Sequence, residues 1–330
     1  MTSNRRIRTA NFGGATVRCQ KKPLRACPGP PPDFFSRFVP VKNGTDTDRL
    51  APRQPAVHPL RRLLAWAVLA LAAFVCAAPL WQIAVLALEP GATGERAAWR
   101  MPAGLGAGNF VQLLTTTDFP RWLANSFLVA LAVTAVGVVV SATAGYTLSR
   151  FRFFGRLAVL NSLLVTQIFP ATMLLLPIFL ILVQLHLINT FLGLILIYAA
   201  TVLPFCIWQM KSFYDTIPES IEEAAAMDGC SPAEIFRRVV LPVSGQGLAV
   251  TALFSFAAAW NEYVVAAILM QDAEMFTLPL GLRLLHADSL AGQPGLFAAG
   301  ALLVTVPMLA LYLLLSRFLV ARVQDISIRH

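Results

Sequence analysis

The chain has 330 residues, 57% of them hydrophobic and only 13% charged, with a mean hydropathy of +0.67. That balance excludes an ordinary soluble globule and describes an integral membrane protein. The formal net charge of +9 belongs to one end: residues 1–62 hold 13 Lys/Arg against three acids, and the remainder is close to neutral.

Residues 1–60 are rich in Pro, Arg and polar side chains, with Pro28-Gly29-Pro30-Pro31-Pro32 at their centre. Such a segment buries too little apolar surface to offset its ordering entropy, so it is expected to be a disordered, cytoplasmic tail that attracts anionic headgroups, or an over-extended start of the reading frame. Its aromatics are few beyond Phe34, Phe35 and Phe38, which favours solvated disorder over nucleic-acid binding. The first apolar run comes too late and continues too long for a secretory signal.

Six apolar runs follow, each long enough to cross about 30 Å of hydrocarbon at about 1.5 Å per residue. The first covers about Leu63–Leu88 and the second Trp122–Leu148, where Ala142, Thr143, Ala144 and Gly145 suit close helix approach. The third is Leu157–Val183, broken by Pro170 and Pro177, and the fourth is about Thr190–Met210, with Pro204 inside. The fifth runs from about Leu248 to Met270 and the sixth from Leu296 to Val320. The fold class is therefore all-α and polytopic, with six transmembrane helices over residues 61–323 and a C-terminal tail, 324–330.

Between the fourth and fifth runs lies the longest polar interruption, residues 214–242, YDTIPESIEEAAAMDGCSPAEIFRRVVLP. Thr216 with Glu219 fits a capping box with Pro218 in the first turn, and Glu219, Glu222 and Glu223 load the early helix with the favoured charge. Asp228-Gly229 ends it, and Ser231-Pro232-Ala233-Glu234 starts a second helix. Ile235, Phe236, Val239 and Val240 share one face of that helix, with Arg237 and Arg238 opposite. The expectation is an elbow of two short helices presenting an apolar ridge outside the membrane; the plainer reading is a loop lying on the bilayer surface.

Charge in the short loops sets orientation. Arg61 and Arg62, Arg150, Arg152 and Arg156, Lys211, Arg237 and Arg238, and Arg317, Arg322 and Arg329 fall on one side. Residues 184–189 hold no Lys or Arg and residues 271–295 only Arg283, so both termini and the elbow are expected in the cytoplasm. The 271–295 loop is polar, with Gly281, Gly292 and Gly295 as hinges. Glu262 sits within the fifth run beside Trp260, Asn261 and Tyr263. An ionised group there must face protein or water, either meeting a solute or bonding a neighbouring helix.

Several chemistries are missing. There is no G-x-x-x-x-G-K-[ST] loop, the alternating Gly104, Gly106 and Gly108 follow no strand, and the four histidines have no ligand partners at usable spacing. No nucleophile elbow occurs, so no catalytic or metal site is expected. Five cysteines are odd in number and are read as unpaired.

Glu223-Ala224-Ala225-Ala226-Met227-Asp228-Gly229, followed by Val240-Leu241-Pro242, resembles the EAA loop of ABC-importer permease subunits. Gln167-Ile168-Phe169-Pro170-Ala171 and Trp260-Asn261-Glu262-Tyr263 resemble the carbohydrate branch, the smaller permease of maltose-type importers, and the likeness runs from about Arg61 to Val323. It implies type I ABC-importer permease architecture in the cytoplasmic membrane. It further implies that Glu223, Ala224, Ala225, Asp228, Gly229, Leu241 and Pro242 form a loop seated in a cleft of a separate ATPase. The implied assembly has a second, non-identical permease, two ATPase subunits that hold ATP and Mg, and an extracytoplasmic solute-binding protein meeting the 271–295 loop. No cofactor is implied in this chain itself, and no nucleic acid. The implied cargo is a sugar or oligosaccharide, with Gln167, Trp260, Asn261, Glu262 and Tyr263 as candidates along its path. Two departures are Cys230, where Ala is usual, and the ending Gln324–His330, which lacks the family's Gly-rich, Lys-bearing close. The alternatives are a non-sugar solute, or an ion-coupled secondary transporter; the latter is disfavoured by the lack of an internal repeat and by Glu262 being the one clear mid-span charge.

Overall fold

The computed structural model describes residues 59–89, 104, 106–168, 171–289 and 294–320, and among these there are helices and turns but no strand. The tail expected over 1–60 lies outside the described residues except for Pro59 and Leu60, and the segment 324–330 lies outside them altogether. The helices in order are α1 (Pro59–Leu88), α2 (Gly108–Thr116), α3 (Phe119–Arg150), α4 (Arg156–Thr166), α5 (Leu175–Gln184) and α6 (Phe191–Tyr214). After them come α7 (Glu219–Met227), α8 (Pro232–Ile235), α9 (Leu241–Val243), α10 (Gly245–Asn261), α11 (Val264–Leu269), α12 (Leu278–Ser289) and α13 (Pro294–Val320).

Four of these, α1, α3, α6 and α13, are long and apolar enough to cross a membrane, and a fifth qualifies only as α10 together with the segment before it, bent by 76°. The third expected span, Leu157–Val183, is not one helix. α4 and α5 have 11 and 10 residues, each too short to cross alone, with a turn and a 3-10 segment (Ala171–Leu174) in the interruption between them. Pro177 does not break α5: it sits in the first turn, where a backbone N–H has no helical partner anyway. The fifth expected span also divides, because Glu262 adopts an extended backbone (φ −73°, ψ 126°) that ends α10 before α11 begins.

The core is built on α3, which packs most extensively on α6 and then on α10. Lipid tails are as apolar as leucine, so helices in a bilayer associate by close approach rather than by the hydrophobic effect. The buried positions Ser126, Ala130, Val133, Gly137, Ser141 and Gly145 recur every three or four residues and make a stripe of small side chains along α3. A Cβ on Gly145 would lie 2.9 Å from Met210 Cβ and 3.0 Å from the Lys211 backbone nitrogen, and one on Gly137 would lie 2.6 Å from Ser255 Oγ. Of the four small residues expected to permit this approach, Ala142 and Gly145 are buried, Ala144 is half-buried, and Thr143 is exposed. α1 is exposed over most of its length, with Leu63, Trp66, Leu69 and Phe74 all outward, and it meets α13 and α2 near its end.

The turns on the side opposite the elbow are tied by polar side chains. Asn189, in a left-handed conformation (φ 56°), donates its backbone N–H to Leu269 O, accepts from the Gln271 and Asp272 N–H groups, and donates from Nδ2 to Asp272 Oδ2 at 2.6 Å. Trp122 Nε1 donates to Ala273 O, Asn125 Nδ2 to the Glu274 and Phe276 carbonyls, and Leu278 N–H to Ser126 Oγ. The loop expected over 271–295 therefore contains helix α12. Gly281 is a packing position there, where any Cβ would collide with the Trp122 ring, and not a hinge. Gly295 is likewise tight, against Asn109, and Gly292 lies outside the described residues.

Gly145→Leu is expected to force α3 and α6 apart at a cost of about 1–3 kcal/mol, the usual range for overpacking. Gly108→Leu, where a Cβ meets nothing within 4 Å, serves as the control. Thermal unfolding in detergent reads the difference, with a lower midpoint for the Gly145 variant alone.

Candidate functional site

The elbow begins where α6 ends. Asp215 leaves the helix axis, and its carboxylate accepts from Ser149 Oγ at 2.7 Å and pairs with Lys211 Nζ at 2.6 Å. Burial pushes the Asp215 carboxyl up, but the bonds from Lys211 and Ser149 outweigh it and hold the group below the usual carboxylate range. The expected cap at Thr216 is not made: its hydroxyl donates back to Phe213 O at 2.7 Å, and Pro218 takes the N-cap position of α7 instead of its first turn. A chain leaving α6 through a tight turn gives the Thr216 hydroxyl a nearby carbonyl to donate to, and it turns back to that carbonyl instead of accepting from an N–H of α7.

The exit from α7 is as expected. Gly229 has φ +88°, its N–H donates to Ala226 O, and the Cys230 N–H donates to Ala225 O. This pair of bonds is the Schellman arrangement, which needs a residue content with the left-handed region. α8 starts at Ser231, whose N–H (2.9 Å) and hydroxyl (2.8 Å) both donate to the Glu234 carboxylate. Those bonds hold the Glu234 carboxyl below its ordinary range. A π-helical turn, Phe236–Val240, and α9 lead to the sharp bend at Ser244. Of the described cysteines, Cys76 and Cys206 are free, whereas Cys230 is disulfide-bonded, contrary to the reading of five unpaired thiols.

The apolar ridge faces the other way from expectation. Ile235 and Val240 are buried with Ile217, Met210, Tyr214 and Tyr146, and Phe236 packs on the same cluster, its ring 4.8 Å from that of Tyr146. The physical reason is that the elbow must itself be held to the bundle, and its own apolar face is the surface available for that. Ala225 joins this inner face. The outer face is left with Glu219, Ser220, Glu223, Ala224, Asp228 and Gly229, all exposed, and with Met227 at 89% exposure. Leu241 is half-buried and Pro242 exposed. Nothing in the described residues lies within 4 Å of a Cβ built on Gly229. This surface is small, acidic and open, with one long apolar side chain near its apex.

One set of contacts was missed from sequence. Arg150, the last residue of α3, donates from Nε to Glu222 Oε1 at 2.6 Å and from Nη2 to Ile217 O at 2.8 Å. The Tyr146 hydroxyl donates to the other Glu222 oxygen at 2.8 Å. Two adjacent glutamates, Glu222 inward and Glu223 outward, carried the signal, since neighbours on a helix point about 100° apart.

The second group of candidates does not form one cluster. Trp260 is buried, stacks on Phe256 with ring centroids 5.3 Å apart, and donates from Nε1 to Val304 O at 3.3 Å, so it belongs to the core of this chain. Asn261 is exposed, its amide donating to Ala257 O, and Tyr263 is exposed as well. The Glu262 carboxylate accepts from the Tyr198 hydroxyl at 2.7 Å and from the backbone N–H of Val265 and Ala266, which makes it the cap of α11. Gln167 is exposed at the end of α4, in another part of the chain. No group of three or more His, Cys, Asp or Glu among the described residues could hold a metal.

Residues 137–325, which include the whole elbow, match the family described as binding-protein-dependent transport system inner membrane component. The chain is 32% identical over 263 residues to the trehalose transport system permease protein SugB of Mycobacterium tuberculosis, covering 79% of this chain and 96% of that one. It is 34% identical over 289 residues to the maltose/maltodextrin transport system permease protein MalG of Salmonella typhimurium, covering 81% and 95%. A solved bacterial ABC transporter that imports the acidic polysaccharide alginate has the same fold in one of its chains, with a TM-score of 0.67 over 83% of this chain and 98% of that one at 22% identity. The chain belongs to the binding-protein-dependent transport system inner membrane component family. It is a multi-pass membrane permease subunit of an ATP-binding-cassette importer.

Replacing Glu262 by Ala leaves the buried Tyr198 hydroxyl and two backbone N–H groups of α11 without partners, which should cost about 1–3 kcal/mol. Glu262→Gln keeps an acceptor and should cost less. Thermal unfolding of the detergent-solubilised subunit should rank wild type, Gln and Ala in that order; equal midpoints would contradict the cap.

Proposed function

We propose that this chain is one of two non-identical permeases that carry a sugar or oligosaccharide across the cytoplasmic membrane by alternating access. ATP and Mg are bound by two separate ATPase subunits, and an extracytoplasmic binding protein delivers the cargo. Relatives named for trehalose and for maltose and maltodextrin support a carbohydrate cargo. In this reading the chain crosses six times: α4 and α5 together make the third crossing, and α10 and α11 the fifth. Both termini and the elbow face the cytoplasm, in keeping with the loop arginines.

The observation that carries the reading is the two-sidedness of the elbow. Its apolar face is spent on this chain's own helices, while Glu223, Ala224, Met227, Asp228 and Gly229 stand exposed on the outer face of the described residues. A small, acidic apex with a protruding methionine suits a groove on another protein better than it suits an anionic bilayer surface, which repels acids. The exposed apolar side chains of α4, α5 and the turn and 3-10 segment between them, among them Leu157, Val165, Ile168, Met173, Leu176 and Leu180, suit a second permease or lipid. Of the path candidates, Gln167, Asn261 and Tyr263 have exposed side chains that could meet a cargo. Glu262, held by Tyr198 and α11, serves as a support between Asn261 and Tyr263.

Gly229→Asn tests the elbow, because asparagine tolerates the left-handed region while adding bulk at the apex. The variant should fold and melt like wild type, yet in proteoliposomes with its partner subunits it should lose ATP-driven sugar uptake. Uptake at the wild-type rate would contradict the docking role.

A further inference from the structure

Polar side chains at both ends of α3 hold the segments that pack against them. At the elbow end, Arg150, Tyr146 and Ser149 hold Glu222, the Ile217 carbonyl and Asp215, which spans the whole entry into α7. The Arg150 and Glu222 side chains are only 10% and 13% exposed. At the far end, Trp122, Asn125 and Ser126 hold the backbone of Ala273, Glu274, Phe276 and Leu278, the loop between α11 and α12. Between these ends runs one unbroken helix of 32 residues, about 48 Å at about 1.5 Å per residue. It contains no proline past its first turn, and its small-residue stripe meets the backbone of α6 at Gly145 and Ser255 of α10 at Gly137.

Apolar contacts can slide past one another at little cost, whereas a buried ion pair whose oxygens are both engaged cannot be displaced without exposing an unpaired charge. Such a pair adds little to net stability compared with apolar residues of the same size, so its presence here is better explained by the position it fixes. Resting on the importer reading above, we propose that α3 is a tie-rod: Arg150, Glu222 and Tyr146 are positioning residues that lock α7 to its inner end, and Asn125 and Trp122 lock the 273–278 loop to its outer end. Displacement of the elbow by the ATPase then moves the extracytoplasmic loop directly, and a binding protein seated on that loop biases the ATPase through the same rod. The coupling is reciprocal, as linkage requires.

The test uses the complete complex in proteoliposomes, with ATP hydrolysis read with and without cargo-loaded binding protein. Glu222→Gln and Asn125→Ala should each leave the ATPase subunits bound and basal hydrolysis near wild type. Each should cut the stimulation by binding protein by about tenfold, within the range of typical coupling energies. The double variant should be no worse than the stronger single one, since both break one rod. Arg150→Glu with Glu222→Arg should recover part of the loss. Undiminished stimulation in either single variant, release of the ATPase by Glu222→Gln, or losses that multiply in the double variant would each overturn the tie-rod. A wild-type complex with no ATP-dependent uptake would sink the importer reading and the rod with it; a coupled wild type with insensitive variants sinks the rod alone.

Discussion

The structure depends on close approach between α3 and α6. In hydrocarbon there is no hydrophobic gain in bringing two leucine-covered helices together, so the bundle needs small residues where backbones touch and polar side chains where loops must be held. Gly145 meeting the backbone of α6 meets the first need, and Asn189 the second. Everything that makes the elbow useful stands on that pair: α6 leads into it, and α3 ends beneath it with Arg150 and Tyr146 against its first helix.

The elbow itself divides its residues by direction. Its apolar side chains other than Met227 close over Tyr146, Met210 and Tyr214, and its acids and alanines remain outside except for Glu222, Ala225 and the half-buried Glu234. A loop resting on lipid would be expected to do the reverse, burying apolar groups in the headgroup boundary and showing basic ones beside them. The left-handed Gly229 then sets the angle between the two halves and adds no side chain of its own beside Met227.

Much of this was legible in the chain. Asp228-Gly229 and Ser231-Pro232 are local signals, and local signals survive folding because the groups that satisfy them are a few residues away. The long apolar runs predicted α1, α3, α6 and α13 for the same reason. What failed was a choice between two local partners at Thr216, and whatever depends on distant ones. Thr216 found Phe213 O before it found α7, and the Ile235–Val240 ridge turned inward because only tertiary packing decides which of two faces is covered. Glu222 and Glu223 look alike in sequence, yet one is paired with Arg150, 72 residues away, and the other is exposed. Trp260 and Glu262 stand beside Asn261 and Tyr263 in sequence, but a break in the helix sends the first to the core and makes the second a cap.

The central claim is that the outer face of the elbow engages a separate ATPase. Met227, 89% exposed on that face, allows a direct measurement: Met227→Cys in the assembled complex, treated with a short bifunctional thiol reagent. A covalent adduct with the ATPase subunit, accompanied by loss of uptake, is the predicted result. Free labelling of Cys at this position by a bulky water-soluble maleimide, in a complex that goes on transporting, would contradict it.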